Sequence, residues 1–222
     1  MEVDGHEEPS GKRKRVSEAR MIPGLGSLEW GFPNSIITNL RYCEVLGLTS
    51  TTGSTVSNVF RANGIFDPDY TSTGHQAMFR DAYAGVYDYY TVLGSKITIT
   101  AQSRSSTVGF VIGLQGSDTP SLSSTVTAWM EQNNGIHTLV PINAGGSKTL
   151  FMTYSPEENI GSTTKDDNSS LTAVGADPGS AQAYYFGILA STEDISSTAT
   201  LSVVVEIEYT VKFTTLSRRA QD

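Results

Sequence analysis

The chain has 222 residues, a formal net charge of −8, 38% hydrophobic residues and only 17% charged ones. Its 27 Ser and 26 Thr, with 21 Gly, are turn and pleated-strand formers, which argues against a helical bundle, a coiled coil or a doubly wound α/β enzyme. No apolar run reaches the roughly 18 residues of a membrane span, and no charged-then-apolar leader opens the chain, so neither membrane insertion nor export is expected. The lone cysteine, Cys43, excludes an internal disulfide, and three histidines (His6, His75, His137) leave little for metal or general-base chemistry.

Charge is distributed unevenly. Residues 1–20 hold Lys12, Arg13, Lys14, Arg15 and Arg20 against Glu2, Asp4, Glu7, Glu8 and Glu18, so the whole −8 resides in residues 21–222. Residues 1–21 have almost no apolar content and read as a flexible arm. Their KRKR run suits phosphate binding and nuclear import, against the plainer reading of a solvated tail. Residues 22–33 carry Pro23, Gly24, Gly26 and Pro33 at turn-like spacing and read as a semi-ordered arm, leaving 34–222 as the globular domain.

Within that domain Ile36, Leu40, Tyr42, Leu46 and Leu48 mark an early strand, and Val56–Phe60 a second. Phe79, Tyr83, Val86, Tyr87 and Tyr90 recur at spacings of three and four, which predicts a helix over 78–90. A tight turn at Leu93-Gly94-Ser95 is expected before a strand through Ile97, Ile99 and Ala101. Val108, Phe110, Ile112 and Leu114 alternate as the next strand. Thr119-Pro120 reads as a helix start whose face carries Leu122, Val126, Trp129 and Met130. His137–Ile142 is a weaker strand, and Leu150, Met152 and Tyr154 a clear one. Ser155-Pro156-Glu157-Glu158 fits a capping box opening a single turn. A polar surface loop is expected over 159–182, then a strand through Tyr184, Phe186, Ile188 and Ala190. The clearest signal comes last: Leu201, Val203, Val205, Ile207, Tyr209, Val211 and Phe213 hold every odd position, with Val204 alone apolar on the other face. About eight strands with short helices in the loops describe an all-β, single antiparallel jelly roll, a two-sheet sandwich.

The stretch Asn58–Met78 contains Phe60-Arg61-Ala62-Asn63, Asp67-Pro68-Asp69 and Thr73-Gly74-His75-Gln76, and it is followed by the Tyr-rich run Tyr87–Ile99. With Leu40-Arg41-Tyr42 and the basic N-terminus, this order resembles the capsid proteins of circovirus-like, circular Rep-encoding single-stranded DNA viruses. The match covers roughly residues 58–100. The resemblance implies a coat subunit that assembles with copies of itself into a small icosahedral shell around single-stranded DNA. It implies that Lys12, Arg13, Lys14, Arg15 and Arg20 contact genome phosphates without sequence preference and serve as a nuclear import signal. It places the chain in the virion, and in the host nucleus during assembly, with a host receptor or glycan as a further partner. No enzymatic activity, cofactor or metal is expected.

Other readings of individual residues are plainer. Asp67, Asp69 and His75 could suggest acid–base chemistry, but a Pro-fixed turn with Arg61 satisfying an aspartate, and His75 bonded to backbone, accounts for them. Asp118, Asp166, Asp167, Asp177 and Asp194 lack the spacing of a calcium loop and read as solvated carboxylates. Cys43 is expected to be a small buried hydrophobe, and Trp30 to pack against a neighbouring subunit. The alternative function is a carbohydrate-binding, lectin-like jelly roll whose sugar platform would be Tyr87, Tyr89, Tyr90, Tyr184 and Tyr185. A cupin-like metalloenzyme would need more histidines than His75 and His137.

Overall fold

The computed structural model describes residues 21–22, 26–27, 32–52, 54–71, 74–161, 171–194 and 196–218. The chain divides into two units, Met1–Pro33 and Asn34–Asp222. In the first, β1 (Met21–Ile22) pairs antiparallel with β2 (Gly26–Ser27).

The second unit is built from β3 (Ser35–Ser50), β4 (Val56–Arg61), β5 (Tyr87–Ser103), β6 (Phe110–Ser117), β7 (Gly135–Val140), β8 (Lys148–Tyr154), β9 (Thr172–Ala173), β10 (Tyr185–Thr192) and β11 (Ala199–Leu216). One sheet has the order β4-β10-β6-β7, the other β3-β11-β5-β8, with β9 added on β5, and the pairings are antiparallel. Among the eight long strands only β6 and β7 are consecutive within a sheet; every other connection crosses between the layers. This is the jelly-roll course. It puts β3 beside β4 at one lateral edge of the sandwich and β7 beside β8 at the other.

β11 shows why the sheets stack. Its seven odd residues from Leu201 to Phe213 are fully buried, each worth roughly 1.5–3 kcal/mol against exposure, while Glu206, Glu208 and Thr210 face water. Phe60, Phe110, Ile112 and Phe186 answer from the opposite sheet in the same core.

Several local expectations are corrected. The helix predicted over 78–90 is only α1 (Arg80–Ala84); Tyr87 onward belongs to β5, because pairing with β11, which begins at Tyr87↔Leu216, overrides the helical spacing. Leu93-Gly94-Ser95 is no turn. The register against β11 shifts between Thr210 and Val211, so Leu93 is the extra residue of a β-bulge inside one 17-residue strand. The bulge reverses which residues point inward: Tyr90 and Val92 before it, Ile97, Ile99 and Ala101 after it. The helix expected from Pro120 is confined to α2 (Val126–Met130), with Thr125 at its N-cap. Ser155 does precede a single turn, α3 (Pro156–Asn159), but its hydroxyl makes no cap; instead the Ser155 N–H donates to Asn159 Oδ1 at 2.8 Å. The 159–182 connector is not wholly a surface loop, since it supplies β9 and the half-buried Asp177.

The two outer faces differ. The connector between β6 and β7 folds back over the four-stranded sheet and buries Trp129 there. Glycines make the seats: a Cβ on Gly113 would lie against the Trp129 ring, and one on Gly187 would lie 2.5 Å from Leu122 Cδ2. Val59, Ala183 and Tyr185, with Leu122 packed against them, form a second small cluster on this face, and every residue of β10 is buried. The outer face of the five-stranded sheet is open to solvent, with exposed Ile37, Val45, Phe151 and Val204 among charged and hydroxyl side chains.

Candidate functional site

The segment that carries the family resemblance folds as a bracket between the sheets. Arg61 closes β4, donates to the Asp67 carbonyl, and lies 3.3 Å from the Asp67 carboxylate and 3.5 Å from that of Asp177. Its guanidinium sits 4.9 Å above the Tyr70 ring, and its own carbonyl accepts from the buried Tyr209 hydroxyl at 2.8 Å. Burial raises the Asp177 carboxyl above its ordinary value, with Arg61 opposing as the smaller effect. Asn63 is buried and fully used: its Nδ2 donates to the Gln182 carbonyl (2.7 Å) and the Tyr154 hydroxyl (3.3 Å), and its Oδ1 accepts the Tyr184 N–H (3.1 Å). Burial pushes the Tyr154 phenol up to about 12. Asp69 is buried, and its Oδ1 accepts from the Thr71 N–H and hydroxyl.

Arg61 therefore does satisfy aspartates, as the sequence suggests, and it engages Asp177 as well as Asp67. His75 differs from expectation: it is exposed and stacks on the Tyr42 ring at 4.5 Å. Tyr42 is inward-facing, and burial with the Glu44 carboxylate beside its hydroxyl raises its pKa well above the ordinary phenol range. Asn63 and Asp177, with residues 171–182 lying against them, were not picked out as partners by sequence, because contacts more than 100 residues apart leave no local pattern.

The open sheet bears a groove of about 760 Å³. It forms where the bulge at Leu93 bends β5 and α3 rises at the end of β8. Arg41 and Glu208 bridge at 2.7 Å on its floor, opposite Lys96, with Glu157 and Glu158 on the α3 side. The arrangement is polar, shallow and already internally paired, and it presents no nucleophile–base pair.

The tyrosine platform does not form. Tyr87, Tyr90 and Tyr184 are buried in the main core and Tyr185 in the small outer cluster, and only Tyr89 of the five is appreciably exposed, at 42%. Cys43 is a second correction: it is exposed, because the register puts Tyr42 inward and Cys43 outward, where its Sγ lies 3.8 Å from Glu206. Among the described residues no group of three or more His, Cys, Asp or Glu is placed to hold a metal ion. Asp194 is instead held below its ordinary value by hydrogen bonds from the Ser196 hydroxyl and N–H and the Ser197 hydroxyl. Lys12, Arg13, Lys14, Arg15, Arg20, Trp30, Asp166 and Asp167 lie outside the described residues. Among the described residues no helix is long and apolar enough to cross a membrane.

No protein-family model matches the chain, and no curated protein matches it significantly. Solved structures with a similar backbone course include a chain of turnip yellow mosaic virus, at 12% identity and TM-score 0.47 over 85% of this chain and 99% of that one. Another is from a virus-like particle of the giant freshwater prawn Macrobrachium rosenbergii nodavirus, at 10% identity and TM-score 0.46 over 84% and 97%. A third is from mud crab tombus-like virus, at 11% identity and TM-score 0.45 over 99% and 96%.

Proposed function

We propose that this chain is a viral coat subunit that assembles with copies of itself into a small closed shell enclosing single-stranded DNA. The observation that carries the reading is the fate of the matched segment: Arg61, Asn63, Asp67 and Asp69 are spent on bracing a jelly roll, not on chemistry. Jelly rolls serve as capsid subunits, lectins and cupin enzymes. Burial of four of the five platform tyrosines disfavours the lectin reading.

On this reading residues 1–21 and 22–33 form an arm, and 34–222 form the shell domain. Lys12, Arg13, Lys14, Arg15 and Arg20 neutralise genome phosphates, and the KRKR run doubles as a nuclear import signal. Five cations on one subunit bind weakly, but many arms facing one enclosed polymer act at high effective concentration. Because residues 21–222 carry the entire −8, packaging depends on the arm.

The test is electron microscopy of the purified full chain, with nuclease digestion of its contents by DNase and RNase separately. Closed particles with DNase-sensitive cargo after disruption are expected; RNase-sensitive cargo would refute the DNA assignment, and a dispersed monomer the coat reading itself. Deleting residues 1–20 should leave the fold unchanged and lower encapsidated DNA severalfold. Unchanged DNA content would exclude the arm's role.

A further inference from the structure

Met78 and Phe79 are consecutive and protrude, 67% and 69% exposed. Phe79 has φ 66° and ψ −2°, the left-handed region. For a bulky L-residue that conformation is strained, and Gly or Asn adopts it more cheaply. The backbone is pinned there from both sides. The Met78 N–H donates to the Arg41 carbonyl on β3 at 3.0 Å, and Ala77 is buried. Arg80 is also buried, with its guanidinium 4.7 Å over Phe66 and Nη1 3.3 Å from Gln76 and 2.5 Å from Asp81. Tyr83 Oη lies 3.3 Å from Thr38 Oγ1, tying α1 to β3.

The folded subunit gains little from an exposed phenyl ring at a strained position. The side chain is therefore explained by something outside the subunit. A rigid, pre-ordered pair of Met and Phe is the composition of an interface anchor, since little conformational freedom remains to be lost on binding.

We propose that Met78 and Phe79 form an assembly knob that buries against the β7–β8 edge of a second copy of this chain. The inference rests on the coat reading and names its lateral contact. The topology supports that occupant, because the knob leaves the β3 edge of the sandwich while β7 and β8 form the opposite edge. On that opposite edge Phe151 is 60% exposed on the five-stranded side, and Leu139, 52% exposed, lies on the four-stranded side. The charges at the two edges also differ in sign where they are most exposed, although Asp81 is paired with Arg80 on its buried side. The knob is flanked by Asp81, whose side chain is 77% exposed, and Phe151 by the exposed Lys148 and by Lys96, whose Nζ lies 5.1 Å from the ring centroid. A contact between two different edges of the same subunit is heterologous and propagates from copy to copy, closing where the rotation closes.

The test uses the full chain with Phe79→Asn, which tolerates the left-handed backbone. Thermal unfolding of the dissociated subunit should rise by about 2–4 °C as the strain is relieved. Sedimentation should show the threshold concentration for assembly raised at least tenfold. Phe151→Ser should raise it similarly, and the double variant should add little, because the two side chains meet each other. Phe79→Asn assembling at the wild-type threshold would overturn the knob, and so would a lowered unfolding temperature, which would make Phe79 a folding residue. Phe151→Ser assembling normally, or full additivity in the double variant, would overturn the partner edge. Wild-type protein that never self-associates would instead overturn the coat reading beneath it.

Discussion

The sealing of the four-stranded sheet by the β6–β7 connector gives a sharp prediction at Gly113. An ideal Cβ there would press on Trp129 Cζ3, lie 3.0 Å from Trp129 Cη2, and lie 2.8 Å from the Ile136 carbonyl oxygen of the paired strand β7. Neither neighbour yields cheaply. The indole is 2% exposed and closely packed, and the carbonyl is backbone within a ladder. Overpacking of this kind costs about 1–3 kcal/mol. Against it, alanine in place of a strand glycine recovers about 0.5–1 kcal/mol of unfolded-state entropy. The net expectation for Gly113→Ala is a loss of about 1–2 kcal/mol, or about 2–8 °C in Tm at this chain length.

The assay is thermal and urea unfolding by circular dichroism, with tryptophan emission as a local reporter. The chain has two tryptophans, so a Trp30→Phe background leaves Trp129 alone to report. Its emission should be blue in the parent and red-shifted in Gly113→Ala. Gly175→Ala is the control: a Cβ there meets nothing within 4 Å, so stability should be unchanged or slightly raised. If Gly113→Ala is as stable as the parent and its emission is unmoved, Trp129 is not seated on Gly113 and the sealed face is wrong.

Two further outcomes follow from the bracket. Asn63→Ala should lower stability by about 3 kcal/mol, since it leaves the buried Tyr184 N–H and Gln182 carbonyl without their partner. Asn63→Asp should fall between, because it keeps the acceptor; equal Tm values for all three proteins by calorimetry would contradict the bracket. At Asp177 burial raises the folded pKa above 3.8, so the folded chain binds this proton more tightly than the unfolded chain does. The associated stability is full below 3.8 and is lost as pH climbs through the folded value. Asp177→Asn should therefore flatten the stability–pH curve just above pH 3.8 in urea titrations. Parallel curves for the two proteins would show that Asp177 does not titrate as its burial implies.

What could be read in advance tracks how local each cause is. β11 announces itself because one face is buried along its whole length, so a period of two persists over seven apolar residues. β5 is as long, yet its alternation changes phase at Leu93, and each half alone looks like something else: the first a helix, the second a strand after a turn. Cys43 fails for the related reason that β3 has an apolar residue on both faces, with Val45 outward beside Val204, so apolar character does not settle direction there. Gly113 and Gly187 did leave a trace, since glycine inside an apolar strand marks close approach of another group. The sequence carries no sign of which group, because Trp129 and Leu122 reach them by a fold-back of the connector. The Arg61–Asp177 pair is invisible for the same reason: 116 positions separate its members.

The asymmetry between the sheets also orders the charge. β6, β7 and β10 contain no lysine or arginine, and the one arginine of β4, Arg61, is committed to Asp67 and Asp177. Arg41, Lys96, Lys148 and Lys212 all belong to strands of the five-stranded sheet. On its outer face the register sets Arg41, Glu208 and Lys96 side by side across three adjacent strands, so Arg41 and Lys96 share one carboxylate between them. Opposite charges neighbouring one another at the surface neutralise locally and contribute little to stability, about 0–1 kcal/mol a pair, and they weaken the positive field around them. On the proposed coat reading the phosphate contacts are assigned to the KRKR run of residues 12–15, the densest set of cations in the sequence.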